Sequence, residues 1–357
     1  VARPTRARNV FLSGLAIAVL SSSAYAKDAP FLVYDFESTA SDGGIESTFM
    51  AYHGALFFVA SADELEPCLW KTDGTPEGTV PLRDRDGNTI LPTMDLFTVF
   101  DGAVFDGALF FSAWSGEESR NELWRSDGTS AGTAMLVDLN PIASTTPEDF
   151  TVVGDTLFFT GSVAARNRAL WKSNGTAEGT AMVKRFNPGG ESFPEDLTAL
   201  DGTLFFAVDD GEHGEELWKS DGTEDGTALV KDINPSGDSL KTSLVPCGAA
   251  VFFSADDGVH GEQLWKSDGT EAGTVMVKQV VDWAGTFPGP LSELTVVKGT
   301  LFFGVYDGAH GRELWKSDGT EAGTMMVKDI DTRFPPHFFQ GNGDPSYLTD
   351  ANGTLFF

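Results

Sequence analysis

The chain has 357 residues and carries 24 Lys and Arg against 53 Asp and Glu, a formal net charge of −29. That balance leaves no basic surface for nucleic-acid phosphates or anionic lipid headgroups. With 41% hydrophobic and 11% aromatic residues the chain can bury a core, which excludes disorder along its whole length, and its 40 glycines suit a fold with many tight turns.

Residues 1–26 read as a secretory signal. Arg3, Arg6 and Arg8 form a basic start, Val10 to Leu20 a short apolar run, and Ala24-Tyr25-Ala26 a cleavage site of small residues. The apolar run is too short for a membrane-spanning helix. The expected product is a soluble, monomeric chain of residues 27–357 with no membrane span, secreted or held at the cell surface, in a periplasm or outside the cell.

A repeat organises nearly all of residues 27–357. Leu-Trp recurs with its flanks at Trp70, Trp124, Trp171, Trp218, Trp265 and Trp315, at spacings of 54, 47, 47, 47 and 50 residues. About a dozen residues before each Trp stands an apolar residue followed by Phe-Phe, beginning at Leu56, Leu109, Leu157, Leu204, Val251 and Leu301, with a seventh copy at Leu355. After each Trp comes Asp-Gly-Thr-x-x-Gly-Thr, with Asn174 replacing Asp once. A fixed period of this size means a propeller, a solenoid or an array.

One period decides among them. In residues 195–233 the sequence predicts a strand over Leu197 to Leu200, a turn at Asp201-Gly202, a strand over Thr203 to Val208, a polar loop, a strand over Glu216 to Ser220, a turn, and a strand over Thr227 to Ile233. No 3.6-residue apolar period is sustained, so helical repeats are disfavoured. Four short antiparallel strands per period are the signature of a propeller blade. Adjacent bulky residues such as Leu204-Phe205-Phe206 point to opposite sheet faces, as in a blade covered on both sides, and the repeated Trp is expected between blades. The expected fold is therefore an all-β, seven-bladed β-propeller, with blades at about 46–83, 96–140, 149–187, 195–234, 243–281, 292–331 and 346–357. The seventh stops inside its second strand and is expected to be closed by 31–36, a segment like the fourth strand of the other blades.

The unit Glu313-Leu314-Trp315-Lys316-Ser317-Asp318-Gly319-Thr320-Glu321-Ala322-Gly323-Thr324 resembles the ELWxxDGTxxGT repeat of exported bacterial proteins over roughly residues 31–357. The resemblance implies a propeller-like array and surface or secreted placement, and brings no catalytic residue with it. Cys68 and Ala169 depart from it by replacing the Glu before Leu-Trp.

Candidate sites are few. Asp209, Asp210 and His213 recur as Asp256, Asp257 and His260 and as Asp307 and His310, in the loop between second and third strands of three blades. Loops on that face, joined by Asn-Pro connections such as Asn187-Pro188 and Asn234-Pro235, are the candidate ligand-binding face. One metal ion cannot reach three such loops in splayed blades, and polar turns are the plain alternative. Asp84, Asp86, Asn88 and Asp95 suit calcium by residue type and spacing, but Thr89 stands where an EF-hand loop has Gly, so an ordinary acidic loop is the alternative. The repeated Asp-Gly-Thr turn is expected to be structural. Ser239, in the lipase-like tetrad Gly237-Asp238-Ser239-Leu240, aligns with Ser192 one blade earlier and is expected to be a repeat position. Cys68 and Cys247 occupy unrelated blade positions and are expected to stay unbridged.

The function expected on this basis is a non-catalytic binding module for a protein or glycan ligand at the cell surface. The alternatives are a propeller hydrolase or lyase with its site at a central opening, and a purely structural scaffold. A unique site is expected, if anywhere, in the divergent stretches Trp114 to Asn121 and Gly161 to Arg168.

Overall fold

The computed structural model describes residues 44–45, 49–62, 65–92, 101–115, 118–241, 244–280, 291–307, 310–330, 343 and 345–357. The signal segment, the expected closing strand at 31–36 and Asp95 lie outside the described residues. The chain divides into two compact units, Val1–Phe150 and Thr151–Phe357.

Every regular element among the described residues is a β-strand, so no helix there is long and apolar enough to cross a membrane. The strands form successive antiparallel sheets, the blades of a β-propeller. Blade four shows the plan: Glu195–Leu200, Thr203–Asp209, Glu215–Ser220 and Ala228–Lys231 pair in chain order. Blades three, five and six repeat it. Asp201 and Gly202, at φ 47° and 77°, make the first hairpin turn, whose two left-handed residues match the twist of the flanking strands. Blades one and two each gain a fifth strand: Gly44–Ile45 pairs with Ala55–Ala62, and Ile90–Pro92 pairs with Ala108–Ser115. Blade two thus begins earlier than the repeat pattern predicts. The last pair, Thr349–Ala351 and Thr354–Phe356, carries the seventh copy of the pattern.

Alternation along the strand sends neighbouring side chains to opposite faces. Phe205 packs with Val251, Phe253 and Trp265 of blade five. Its neighbours Leu204 and Phe206 pack with Trp218 against Phe158, Leu170 and Val183 of blade three. Both faces of the strand are therefore dry, which is why the repeat carries Leu-Phe-Phe instead of an alternating pattern. In the first unit Phe57, Phe111 and Trp124 meet in the same way. Trp70, Trp124, Trp218, Trp265 and Trp315 are all buried, as the strand register requires. Cys68 and Cys247 are both free thiols.

The Asp-Gly-Thr-x-x-Gly-Thr turn is a closed hydrogen-bond circuit. In blade five Asp268 Oδ1 accepts the Thr270 N–H and hydroxyl at 2.9 and 2.7 Å, Thr270 Oγ1 accepts the Gly273 N–H at 2.9 Å, and Thr274 bonds Ser267 at 2.7 Å. The turn reaches its neighbour as well. Lys219 of blade four donates to the Gly269 carbonyl at 2.7 Å. Lys172 reaches Gly222 and Lys266 reaches Gly319 in the same unit, and Lys71 reaches Gly128 in the first, all at 2.7 Å.

Gly269 has φ +86°, and a Cβ there would lie 2.9 Å from Phe205 Cζ; Gly202 has φ +77° but open space around it. Gly269→Ala is therefore expected to lower the melting temperature well beyond Gly202→Ala. Both variants carry the backbone strain of about 1–2 kcal/mol for a left-handed alanine, and only Gly269→Ala adds overpacking of about 1–3 kcal/mol. Equal shifts in a thermal melt would mean the turn does not press on the preceding blade.

Candidate functional site

The three histidine loops are built alike. Asp210 Oδ1 accepts the backbone N–H groups of Glu212 and His213, and Oδ2 lies 2.9 Å from His213 Nδ1. Asp257 does the same for Val259 and His260, with 2.7 Å to Nδ1. Asp307 holds the His310 N–H and lies 2.7 Å from its Nδ1. Asp209 and Asp256 turn inward to the N–H of Gly211 and Gly258. Each dyad thus closes within its own loop. The hydrogen bond to Asp raises the pKa of His213 and of His310, and it fixes Nε2 as the nitrogen each imidazole offers outward. Among the described residues no three or more His, Cys, Asp and Glu converge as a metal site.

The acidic loop after blade one is a turn built on Asp84. Its Oδ1 accepts the N–H groups of Asp86 and Asn88 at 2.9 and 2.8 Å, and Oδ2 accepts the Asn88 amide at 3.0 Å. Two of the four candidate calcium ligands therefore face each other, and Asp86 points to solvent with a side chain 74% exposed. The same loop forms one wall of a cleft of about 260 Å³, whose other walls include Trp114, Arg120, Glu122, Trp124 and Met135. This cleft brings the Asp84–Asn88 turn together with Trp114 and Arg120 of the divergent stretch. Arg120 lies 3.6 Å from Asp138 and donates to the Pro141 carbonyl.

The sequence pattern did not reveal what the Glu before Leu-Trp does. Glu216, fully buried, accepts the N–H groups of Ile233 and Asn234, both at 3.1 Å, and the Ser239 hydroxyl at 2.5 Å. It ties the third strand to the connection leading to the next blade. Glu122 holds Leu139 and Thr145 in the same way, and Glu313 holds Ile330 and Gly343. In blade five Gln263 accepts from Val280 and donates to the His260 carbonyl. Blade three, with Ala169 at this position, uses Asn167 instead: its amide donates to the carbonyls of Asn187 and Gly190. A buried Ser239 committed to Glu216 is a strut, in keeping with its repeat position. The available signal was the Glu itself, a charged residue recurring at a strand position flanked by core residues.

Solved structures share this architecture. Oligopeptidase B from Leishmania major superposes with a TM-score of 0.51 at 13% identity, over 80% of this chain and 41% of that one. A prolyl endopeptidase gives 0.49 at 15% identity, over 80% and 43%, and a puromycin hydrolase gives 0.46 at 16%, over 78% and 45%. The chain spans less than half the length of each, and at these identities the likeness concerns the fold. No family model matches the sequence, and no curated protein matches it. The expectation of a non-catalytic binding module is corrected here: the solved structure that shares the fold at a TM-score of 0.51, oligopeptidase B, is by name a peptidase. Repeated polar residues with no unique constellation suggested a protein without chemistry.

Burial lifts the Glu216 carboxyl from its ordinary 4.5 to about 7, against its three donors, which pull it down. The unfolded chain therefore ionises first, the folded chain keeps one extra proton, and stability falls as pH rises between those two values. Glu216→Gln, which copies Gln263, is expected to remove that fall. Urea midpoints at about pH 5 and about pH 8 check this: parent protein should lose stability between them by more than the variant does. The same loss in both would assign the slope to another group.

Proposed function

We propose that these blades belong to a peptide-hydrolysing enzyme and serve as the part that admits and holds a peptide, while another part cuts it. The observation that carries this is the agreement with oligopeptidase B, at a TM-score of 0.51 over 41% of a much longer chain. The buried, committed hydroxyl of Ser239 supports the division of labour, because the serine that sits in a nucleophile-like tetrad is held as a strut. The basic and apolar N-terminal pattern supports export, and the ELWxxDGTxxGT units support surface or secreted placement, where the substrates would be peptides outside the cytoplasm.

The test is direct. The protein purified from its own cells is incubated with a defined mixture of synthetic oligopeptides, and the mixture is followed by mass spectrometry. Progressive cleavage of oligopeptides is expected. A mixture that stays intact with folded protein overturns the proposal, and cleavage by residues 27–357 alone overturns the division of labour.

A further inference from the structure

The residue before Leu-Trp and the residue at the end of the fourth strand stand opposite each other on neighbouring strands. In blade three these two, Ala169 and Arg185, are direct cross-strand partners. In blade four Leu217 pairs with Lys231, so Glu216 and Asp232 come next in the same register. Two carboxyl groups are thus set against each other, and Glu216 is fully buried. Like charges directly opposite on paired strands repel. Other blades avoid the conflict. Blade two has Glu122 and Asp138 at these positions, but Arg120 lies 3.6 Å from Asp138. Blade five has Gln263 and Gln279, with no charge at either place.

Blade four has neither remedy. Asp232 Oδ1 is buried and has no hydrogen-bond partner. Glu216 accepts from the Ile233 and Asn234 N–H groups and the Ser239 hydroxyl. Burial, and with it the Asp232 charge, is what lifts its carboxyl to about 7. The charged groups around the pair are otherwise engaged. Asp238 Oδ1 accepts the Glu215 N–H, Lys231 donates to the Thr274 carbonyl of blade five, and Arg185 of blade three is held by Asn167 and the Pro188 carbonyl. His213 is bonded to Asp210, and the charges of Asp210, Asp232 and Glu212 add to that bond in raising its pKa. Blade six repeats the arrangement with Glu313 and Asp329, whose Oδ1 is likewise buried without a hydrogen-bond partner.

We infer that Glu216 and Asp232 hold one proton between them, donated by the Glu216 carboxyl to Asp232 Oδ1, and that this proton latches the connection leaving blade four. Glu216 is the carrier because it is fully buried, whereas Asp232 is half-buried and its charge is better hydrated. The shared proton gives an orphaned acceptor its donor and removes the repulsion, which is what Gln263 and Gln279 achieve without a charge. Its loss to a base in solution leaves two carboxylates facing each other, and the connection they flank is pushed apart. Asn234, on that connection, lies under the His260 loop, since a Cβ on Gly258 would come within 2.8 Å of its Oδ1. The latch thus reaches the loop face of the next blade. The inference concerns the scaffold and stands whether or not the chain serves a hydrolase.

Amide hydrogen exchange of the whole chain at pH 6 and pH 8, corrected for the intrinsic effect of pH, reads the latch directly. Protection of the Ile233 and Asn234 amides, which Glu216 holds, is expected to fall at least about threefold between the two. The Val280 amide, held at 2.8 Å by Gln263, is the internal control and is expected to keep its protection. Equal behaviour of the two sites overturns the latch. Carbon-13 NMR of the glutamate carboxyls then tests the partner, with the Glu216 signal assigned by its loss in Glu216→Gln. In Asp232→Asn the Glu216 midpoint is expected to drop by at least about half a pH unit, and the His213 ring midpoint to drop with it. A Glu216 midpoint that stays in place overturns the shared proton. Should Asp232→Asn fail to fold, the exchange comparison in the parent chain decides alone.

Discussion

The carbonyl oxygen of the left-handed glycine in the Asp-Gly-Thr turn carries the architecture. At Gly128, Gly222, Gly269 and Gly319 that carbonyl faces a lysine ammonium from the preceding blade, 2.7 Å away. The oxygen is in the right place only because the turn is rigid. Asp holds the Thr hydroxyl, Thr holds the second glycine, and the last Thr locks onto the Ser or Thr that ends the third strand. The left-handed glycine lets the turn lie against the preceding blade's phenylalanine: a Cβ at Gly319 would come within 3.0 Å of Phe252 Cζ. A charge-assisted hydrogen bond of this kind contributes about 1.5–3 kcal/mol, and repeated from blade to blade it fixes how consecutive sheets stack within each unit. The aromatic faces can then be dry on both sides. Without that register, Phe205 and Phe206 would each face a gap.

The buried Glu before Leu-Trp performs the complementary task on the other end of the third strand. A connection between blades leaves backbone N–H groups with no strand to bond. Glu216 supplies two oxygens to three donors there, and the cost of burying its charge shows in a pKa lifted to about 7. The blades solve this in different ways. Gln263 does it without charge, and Asn167 does it from two residues earlier when Ala169 has replaced the Glu. The function preserved is the satisfaction of a buried backbone, and the residue type is secondary.

The sequence made the blade plan legible because spacing and strand alternation are one-dimensional quantities. The Trp-to-Trp intervals, the Asp-Gly hairpin signals and the doubled Phe each map onto a backbone position without reference to a partner. The structural role of the Asp-Gly-Thr turn was legible for the same reason, since its bonds span only a few residues. The lysine links were not, because Lys219 and Gly269 lie 50 residues apart and nothing local marks either as a partner. The extra strands of blades one and two escaped likewise, since Ile90–Pro92 is short and follows an acidic loop that carries no strand signal. The Asp–His loops were found as residues but not as closed dyads. Periodicity can say that three loops match; it cannot say that each Asp turns to its own His. Function was misjudged for a related reason: a repeat advertises its scaffold, and the polar residues it repeats are those the scaffold needs.

This suggests where to look for chemistry in such a chain. A position that obeys the repeat is explained by folding, because every blade requires it. A position that departs is either repaired nearby or left open. Ala169 is repaired, by Asn167. Cys68 is buried at 0% exposure and its strand is still followed by an ordered connection, pinned by Asp84. Arg83 is repaired through the backbone: its guanidinium folds back on its own loop, and the Thr133 carbonyl, which corresponds to the one a lysine takes in blades four to six, accepts the Arg85 N–H. Val137, four residues after Thr133, departs from the lysine pattern as well. Backbone groups must be satisfied wherever the repeat breaks, whereas the side chains around the break are released from the blade plan, so a place such as the cleft bounded by Asp84, Trp114 and Arg120 is where residues outside that plan collect.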